Sequence, residues 1–365
     1  MEILLKNNIS RVITLIGISF YVHGSLAQVP EPEIELQQEE ALQPDAFIPP
    51  IGLDMVLPEY PYRSAVRGDE GWVLVNYMVD VDGNAFEATV IDSSGEYRME
   101  DAALEAIEAS SFEPAELNGT AIEGSAFMRY TFVLSDGVSA SSDFARSYRR
   151  FHEALDEEDH EEAKGHLDDM EEMAHDNLYE DAFYNWAKYA FAKELGDVGL
   201  QLDSLNRALA YAGRQDEGRR FAYLSPRSIS EALSALFSLQ VESKYYGEAI
   251  NSYRWMEESY PNLAQVYEST YKELLEIKSN NDYYSLQAEI DESLFWTIEL
   301  HKSSFFINDV VGQIDELKLR CDSAFRLFPF QENEQYQISD SWGTCSLEVI
   351  GYPDTTFSLF QTSSL

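Results

Sequence analysis

Trp72-Val73-Leu74-Val75-Asn76-Tyr77-Met78-Val79-Asp80, closed by Asp82-Gly83, is the stretch on which the fold of this chain turns. Its β-branched and aromatic residues favour a pleated, well-packed strand. A glycine after aspartate accepts the positive φ that a tight hairpin turn demands. Ala85 to Asp92 reads as the returning strand, and Gly95 interrupts it. From Met99 the period changes. Met99, Ala103, Ile107 and Ser110 fall on one stripe, with Glu100, Asp101, Glu105 and Glu108 mostly outside it, which predicts an amphipathic helix. Phe112-Glu113-Pro114-Ala115 ends that helix, and Asn118-Gly119 makes a second turn. Ser125 to Leu134 follows as a third strand, with Ala126, Met128, Tyr130, Phe132 and Leu134 on one face. Residues 58–135 are thus expected to form a small β-β-α-β domain.

Several residues of this domain carry a family resemblance. Pro58-Glu59-Tyr60-Pro61, Ala65, Glu70-Gly71, the Asp82-Gly83 turn, Ser93-Ser94-Gly95, Ala102-Ala103-Leu104 and Phe112-Glu113-Pro114-Ala115 stand in the order and spacing of the TonB C-terminal domain family. The motif positions are Tyr60, Pro61, Gly71, Gly83, Phe112 and Pro114. The resemblance implies a three-stranded sheet on one helix, in a transducer of outer-membrane transport whose last strand pairs with an extended segment of a receptor. Here that strand is Ser125–Leu134, with Ser125, Phe127, Arg129, Thr131 and Val133 as candidate edge residues. An edge strand offers unpaired N–H and C=O groups to such a segment. Of Arg129 and Thr131, one N–H is expected to point outward. The pattern also departs from the family. About 230 residues follow the domain, the proline-lysine linker is missing, Leu57 stands where a polar residue is common, and Ser110 stands where a tryptophan is common. The family's retained helix carries a histidine that couples to the ExbB–ExbD motor, and here the only nearby histidine is His23.

Upstream, Lys6 and Arg11 precede an apolar run of 11 residues, Val12 to Val22, and Ser25-Leu26-Ala27 supplies the small residues a signal peptidase needs. Residues 1–27 read as a signal peptide cut after Ala27, which places the chain in the periplasm. A spanning helix needs about 20 apolar residues; the alternative, an uncleaved anchor in the inner membrane, would permit contact with ExbB–ExbD. Residues 28–57 read as a proline- and glutamate-rich linker. Export makes Cys321 and Cys345 a predicted disulfide.

Residues 140–312 read as helices. Asp181 to Leu195, Gly196-Asp197, and Leu202, Leu205, Ala208 and Leu209 resemble a degenerate tetratricopeptide unit, and Leu233, Leu236, Ala249, Tyr253, Met256 and Pro261 a clearer one. Residues 313–365 read as a small β module closed by the disulfide, with alternation at Leu317, Leu319 and Cys321 and again at Leu347 and Val349. The full expectation is therefore an α+β chain: TonB-like domain, helical repeat region, β module.

The chain carries 66 Asp+Glu against 25 Lys+Arg, a formal charge of −41. That field repels phosphate and makes nucleic acid a poor partner. Glu153 to Asp181 holds 14 acidic residues with His160, His166 and His175 among them. His152, Asp156 and His160 would share one face of a single helix, but the zincin pattern is missing, and a solvated acidic face is the reading taken. Asp80-Val81-Asp82-Gly83-Asn84 lacks the downstream residues of a calcium loop. No metal or cofactor is expected. No nucleophile–base set, phosphate loop or dinucleotide fingerprint can be assembled, so the expected function is partner binding rather than catalysis. The expected partners are extended segments of outer-membrane receptors or other periplasmic proteins.

Overall fold

The structure, a computed structural model, describes residues 47–134, 140–174, 177–210, 212 and 223–363. The expected signal peptide, most of the expected linker and His175 lie outside them. The end of that linker is not featureless. Phe47–Ile48 (β1) and Ile51–Asp54 (β2) are short strands. They pair with Ala115–Leu117 (β6) and Ser111–Glu113 (β5), respectively. Their apolar residues, set among prolines, found partners only because the downstream hairpin lies beside them.

After the short helix α1 (Tyr62–Arg67), the chain builds Gly71–Val79 (β3), Ala85–Ser93 (β4), the helix α2 (Tyr97–Ala109), β5, β6, Thr120–Ile122 (β7) and Gly124–Phe132 (β8). The principal sheet runs β4-β3-β8, all antiparallel. Val73, Val75, Tyr77 and Val79 alternate onto one face and bury against Met99, Ala103 and Ile107 of α2, as the helical stripe predicts. Asn118 and Gly119 both hold positive φ in the β6–β7 turn.

Seven helices follow: α3 (Ser142–Asp156), α4 (His160–Ala174), α5 (Leu178–Leu195), α6 (Val198–Ala208), α7 (Pro226–Glu242), α8 (Tyr246–Ser259) and α9 (Pro261–Ser279). Side-chain caps from Ser141, Asp159, Asn177, Asp197 and Ser225 start five of them. Each helix packs on the next, and Leu233, Leu236, Ala249, Tyr253 and Met256 enter one core. His152 and His160 do not share a helix, because α3 ends at Asp156.

The helical region ends earlier than the sequence reading placed it. Tyr284–Ile290 (β9), Phe295–Leu300 (β10) and Ser304–Val311 (β11), all inside the expected helical span, are strands. With Ile314–Cys321 (β12), Ala324–Pro329 (β13), Tyr336–Gln337 (β14), Cys345–Gly351 (β15) and Thr355–Thr362 (β16) they form two four-stranded sheets, β10-β15-β12-β13 and β14-β11-β16-β9. One shared core of Ile290, Ile307, Leu317, Leu347, Phe357 and Leu359 joins the two sheets as a sandwich. The Cys321–Cys345 disulfide is present and links directly opposed residues of β12 and β15 inside that core.

Candidate functional site

Hydrogen-bond direction along β3 settles which groups the small sheet leaves open. Ser94 N donates to the Trp72 carbonyl, so Trp72 and every second residue after it point toward β4. Val73, Val75, Tyr77 and Val79 therefore point toward β8, where they oppose Tyr130, Met128, Ala126 and Gly124. On β8 the main-chain groups facing away from the sheet belong to Ser125, Phe127, Arg129 and Thr131. Arg129 and Thr131 are two residues apart and so both face outward, which corrects the expectation that only one would.

The two sheet edges differ. β8 pairs with β3 in unbroken register over nine residues, and no further strand lies on its outer side among the described residues. β4 is bulged twice, Glu87 has φ +49°, and the Glu87 carbonyl accepts a hydrogen bond from Arg320 at 2.6 Å. Bulges and charged side chains blunt an edge. The open stretch of β8 is bounded. At its start the Glu123 carboxylate accepts from Phe325 N at 3.0 Å, and past its end Leu134 N donates to Glu70 at 2.9 Å.

The candidate residues are held individually. The Ser125 hydroxyl accepts from Asn76 at 2.9 Å. Phe127 is 54% exposed. The Arg129 guanidinium lies 5.0 Å from the centre of the Trp72 ring and donates to the Ala210 carbonyl at the end of α6. Val133 lies just beyond β8, beside Trp72, Leu178 and Ala210. The motif residues build the domain rather than the edge. Tyr60 donates to the Asp69 carbonyl, packs edge-on to Phe132 at 5.5 Å, and has its hydroxyl pKa pushed up to about 12 by burial, with Glu70 adding to the effect. Pro61 stands at the N-cap position of α1, where its carbonyl accepts from Ala65 N at 2.9 Å, and Gly71 opens β3. Gly83 has φ +84°, and a side chain there would collide with the Phe112 carbonyl, whose own N–H donates to Gly83 O at 3.0 Å. Phe112 packs 5.1 Å from Tyr77, and Pro114 separates β5 from β6.

What the sequence reading missed is the covering of the sheet's second face, opposite α2. Trp72 is fully buried there, with its indole N–H 3.3 Å from Asp181. Arg207 of α6 pairs with Asp92 of β4 at 3.1 Å. Burial raises the Asp92 pKa against the pull of Arg207, whereas Arg207, which burial alone would lower, is held raised by Asp92 and Asp203. From the sandwich, Lys318 reaches Glu87 at 2.8 Å, and Arg320 reaches Thr89 at 3.0 Å while pairing with Glu348 at 3.0 Å. Basic residues alternating with Leu317 and Leu319 were the available signal, since a charge on a buried strand needs a partner.

The domain is thus a small antiparallel sheet with one helix behind it and a regular edge strand beside which no further strand lies among the described residues. Residues 56–134 match the family model described as Gram-negative bacterial TonB protein C-terminal, and this part of the chain is a TonB C-terminal domain. Protein TonB of Vibrio cholerae serotype O1 is 36% identical over 67 residues, 18% of this chain and 28% of that protein. The chain thus spans little more than a quarter of the curated relative. The solution structure of the Pseudomonas aeruginosa TonB C-terminal domain is 26% identical over 25% of this chain and 89% of its own length, with a TM-score of 0.22. No helix among the described residues is long and apolar enough to cross a membrane.

Proposed function

We propose that this chain is an exported, periplasmic TonB-type protein that captures an extended segment of a partner by strand addition to β8, in the service of outer-membrane transport. The observation that carries the reading is the unbroken, regular run of β8, beside which no further strand lies among the described residues, with the main-chain groups of Ser125, Phe127 and Thr131 turned outward. Segments of outer-membrane receptors are the partners that the TonB domain favours. The helical region, read as degenerate tetratricopeptide-like pairs, and the sandwich brace the second face of the sheet, and the sandwich also meets the start of β8, so the reading uses the later part of that strand. Catalysis has no part in this reading. Coupling to ExbB–ExbD belongs to it only if residues 1–27 are retained as an anchor.

The test is titration of receptor-derived peptides against the parent and two proline variants. Arg129→Pro and Thr131→Pro each remove an outward N–H without touching the β3–β8 ladder. Both are expected to abolish binding with a modest loss of stability, whereas Tyr130→Pro, which removes a ladder donor, should destabilise the domain. Peptide affinity equal to the parent's in both outward variants would refute strand addition at β8. The N-terminal residue of the native protein, read by mass spectrometry, separates the exported form (Gln28) from the anchored one (Met1).

A further inference from the structure

A second unpaired strand edge lies in the sandwich, and unlike β8 it forms one wall of a groove. In the sheet β14-β11-β16-β9, the edge is β9. Ile290 O accepts from Asp354 N, so Ile290, Ala288, Leu286 and Tyr284 point toward β16, and Ser285, Gln287 and Glu289 point away from the sheet. The Ser285 carbonyl confirms the direction: it accepts from Lys244 Nζ at 2.7 Å, across the groove. The main-chain groups of Gln287 and Glu289 have no such bond among the described residues. The groove has a volume of about 530 Å³, and Ser285, Leu286 and Gln287 line one side. The other side is the first turn of α6, with Val198, Gly199 and Leu202, and its end is the turn Glu242–Tyr245 between α7 and α8. That volume is in the range of ligand sites.

We propose that this groove is a second strand-addition site, which takes an extended polypeptide segment of a partner protein between β9 and α6. Three features select that occupant. Donors and acceptors that recur at every second residue match only an extended main chain. Val198, 42% exposed at the rim, and Leu202 stand where alternate side chains of an added strand would fall, so the segment is apolar at those positions. Lys244 already serves a main-chain carbonyl, and an incoming carbonyl can share it. The acidic field of the whole chain disfavours a segment of net negative charge. The site lies in the sandwich and helical region, apart from β8, so two segments of one partner could be held at once and gain from effective concentration.

The experiment is selection of a phage-displayed random peptide library on the full chain, with counter-selection on Gln287→Pro, which removes one outward N–H. Peptides synthesised from enriched clones are expected to bind the parent and to weaken at least tenfold on Val198→Glu, a substitution at a rim position that is 42% exposed. They should slow amide hydrogen exchange at Ser285 and Gln287 and bind Thr131→Pro as they bind the parent. Absence of enriched clones overturns the proposal, as does binding insensitive to Val198→Glu or unchanged exchange at Ser285 and Gln287. Peptides lost on Thr131→Pro instead belong to β8, which would uphold the first site and overturn this one.

Discussion

Glu248 sits where the helical region meets the sandwich, and replacing it with glutamine should make the protein more stable in mildly alkaline solution. One carboxylate oxygen accepts from Glu299 N at 2.8 Å, and the other is buried with no hydrogen-bond partner among the described residues. Burial pushes the Glu248 pKa from 4.5 up to about 8; the nearby Glu299 carboxylate adds to the rise, and the N–H of Glu299 opposes it. Glu299 is itself raised, chiefly by burial, with Asn251 donating to it. Gly247 lets the helix come this close, since a Cβ there would stand 2.8 Å from the Glu299 carbonyl. A carboxyl whose folded pKa lies above its unfolded value contributes fully below the unfolded pKa, and that contribution is lost as pH rises through the folded one. Between 4.5 and about 8 the native state holds one proton more than the unfolded chain, which costs about 1.4 kcal/mol of stability per pH unit. His301 is buried, its pKa lowered to about 4, so it destabilises only as pH falls below 6.5 and is silent above 7. Glu299 is present in both proteins, so the difference between the parent and Glu248→Gln in urea unfolding at pH 7 and pH 8 reads the Glu248 contribution. The parent should lose about 1 kcal/mol over that interval, and Glu248→Gln, neutral throughout, should lose markedly less. Equal losses in both proteins would show that Glu248 is already ionised at pH 7 and that its burial is relieved in solution.

Three further outcomes follow from the packing. Thiol labelling of the unfolded, unreduced protein should find no free cysteine, and the double variant Cys321→Ser, Cys345→Ser should lose about 3–4 kcal/mol for a loop spanning 24 positions, read by urea denaturation. Arg320→Ala leaves Glu348 buried and unpaired and should cost about 3–5 kcal/mol, whereas Arg320→Met with Glu348→Leu should recover most of that, so equal destabilisation in both would refute the buried pairing. Trp72→Ala should cost about 3–5 kcal/mol by opening a cavity between the sheet and the helical region, with amide exchange speeding up around Leu178; a change under 1 kcal/mol would mean that the second face is not packed as described.

The order of elements in the TonB domain was legible because each signal is local. The Trp72–Asp80 pattern, Asp82-Gly83, the Met99–Ile107 stripe and the Asn118-Gly119 turn depend on residues within a few positions of one another, and the structure keeps all of them. The disulfide was legible for a different reason, since two cysteines leave one pairing and the expected export favours it. The start of the sandwich was also written in the chain, as the alternation of Leu286, Ala288 and Ile290 with exposed Gln287 and Glu289. The expected helical span nevertheless runs past Ser279, where α9 ends.

Other features have no local signature at all. Which edge of the three-stranded sheet stays open depends on Arg320, more than 200 residues downstream, reaching the main chain of β4. Trp72 belongs to the strand by sequence, but only α5 and α6 determine that its side of the sheet is buried. The groove beside β9 exists because the first turn of α6 and the α7–α8 turn stand across from a strand about 85 and about 40 residues further along, respectively. Propensity and periodicity act over a turn or a pleat and so report element type. The burial of a charge, the covering of a face and the freedom of an edge depend on contacts between distant segments, and those are decided only when the chain packs.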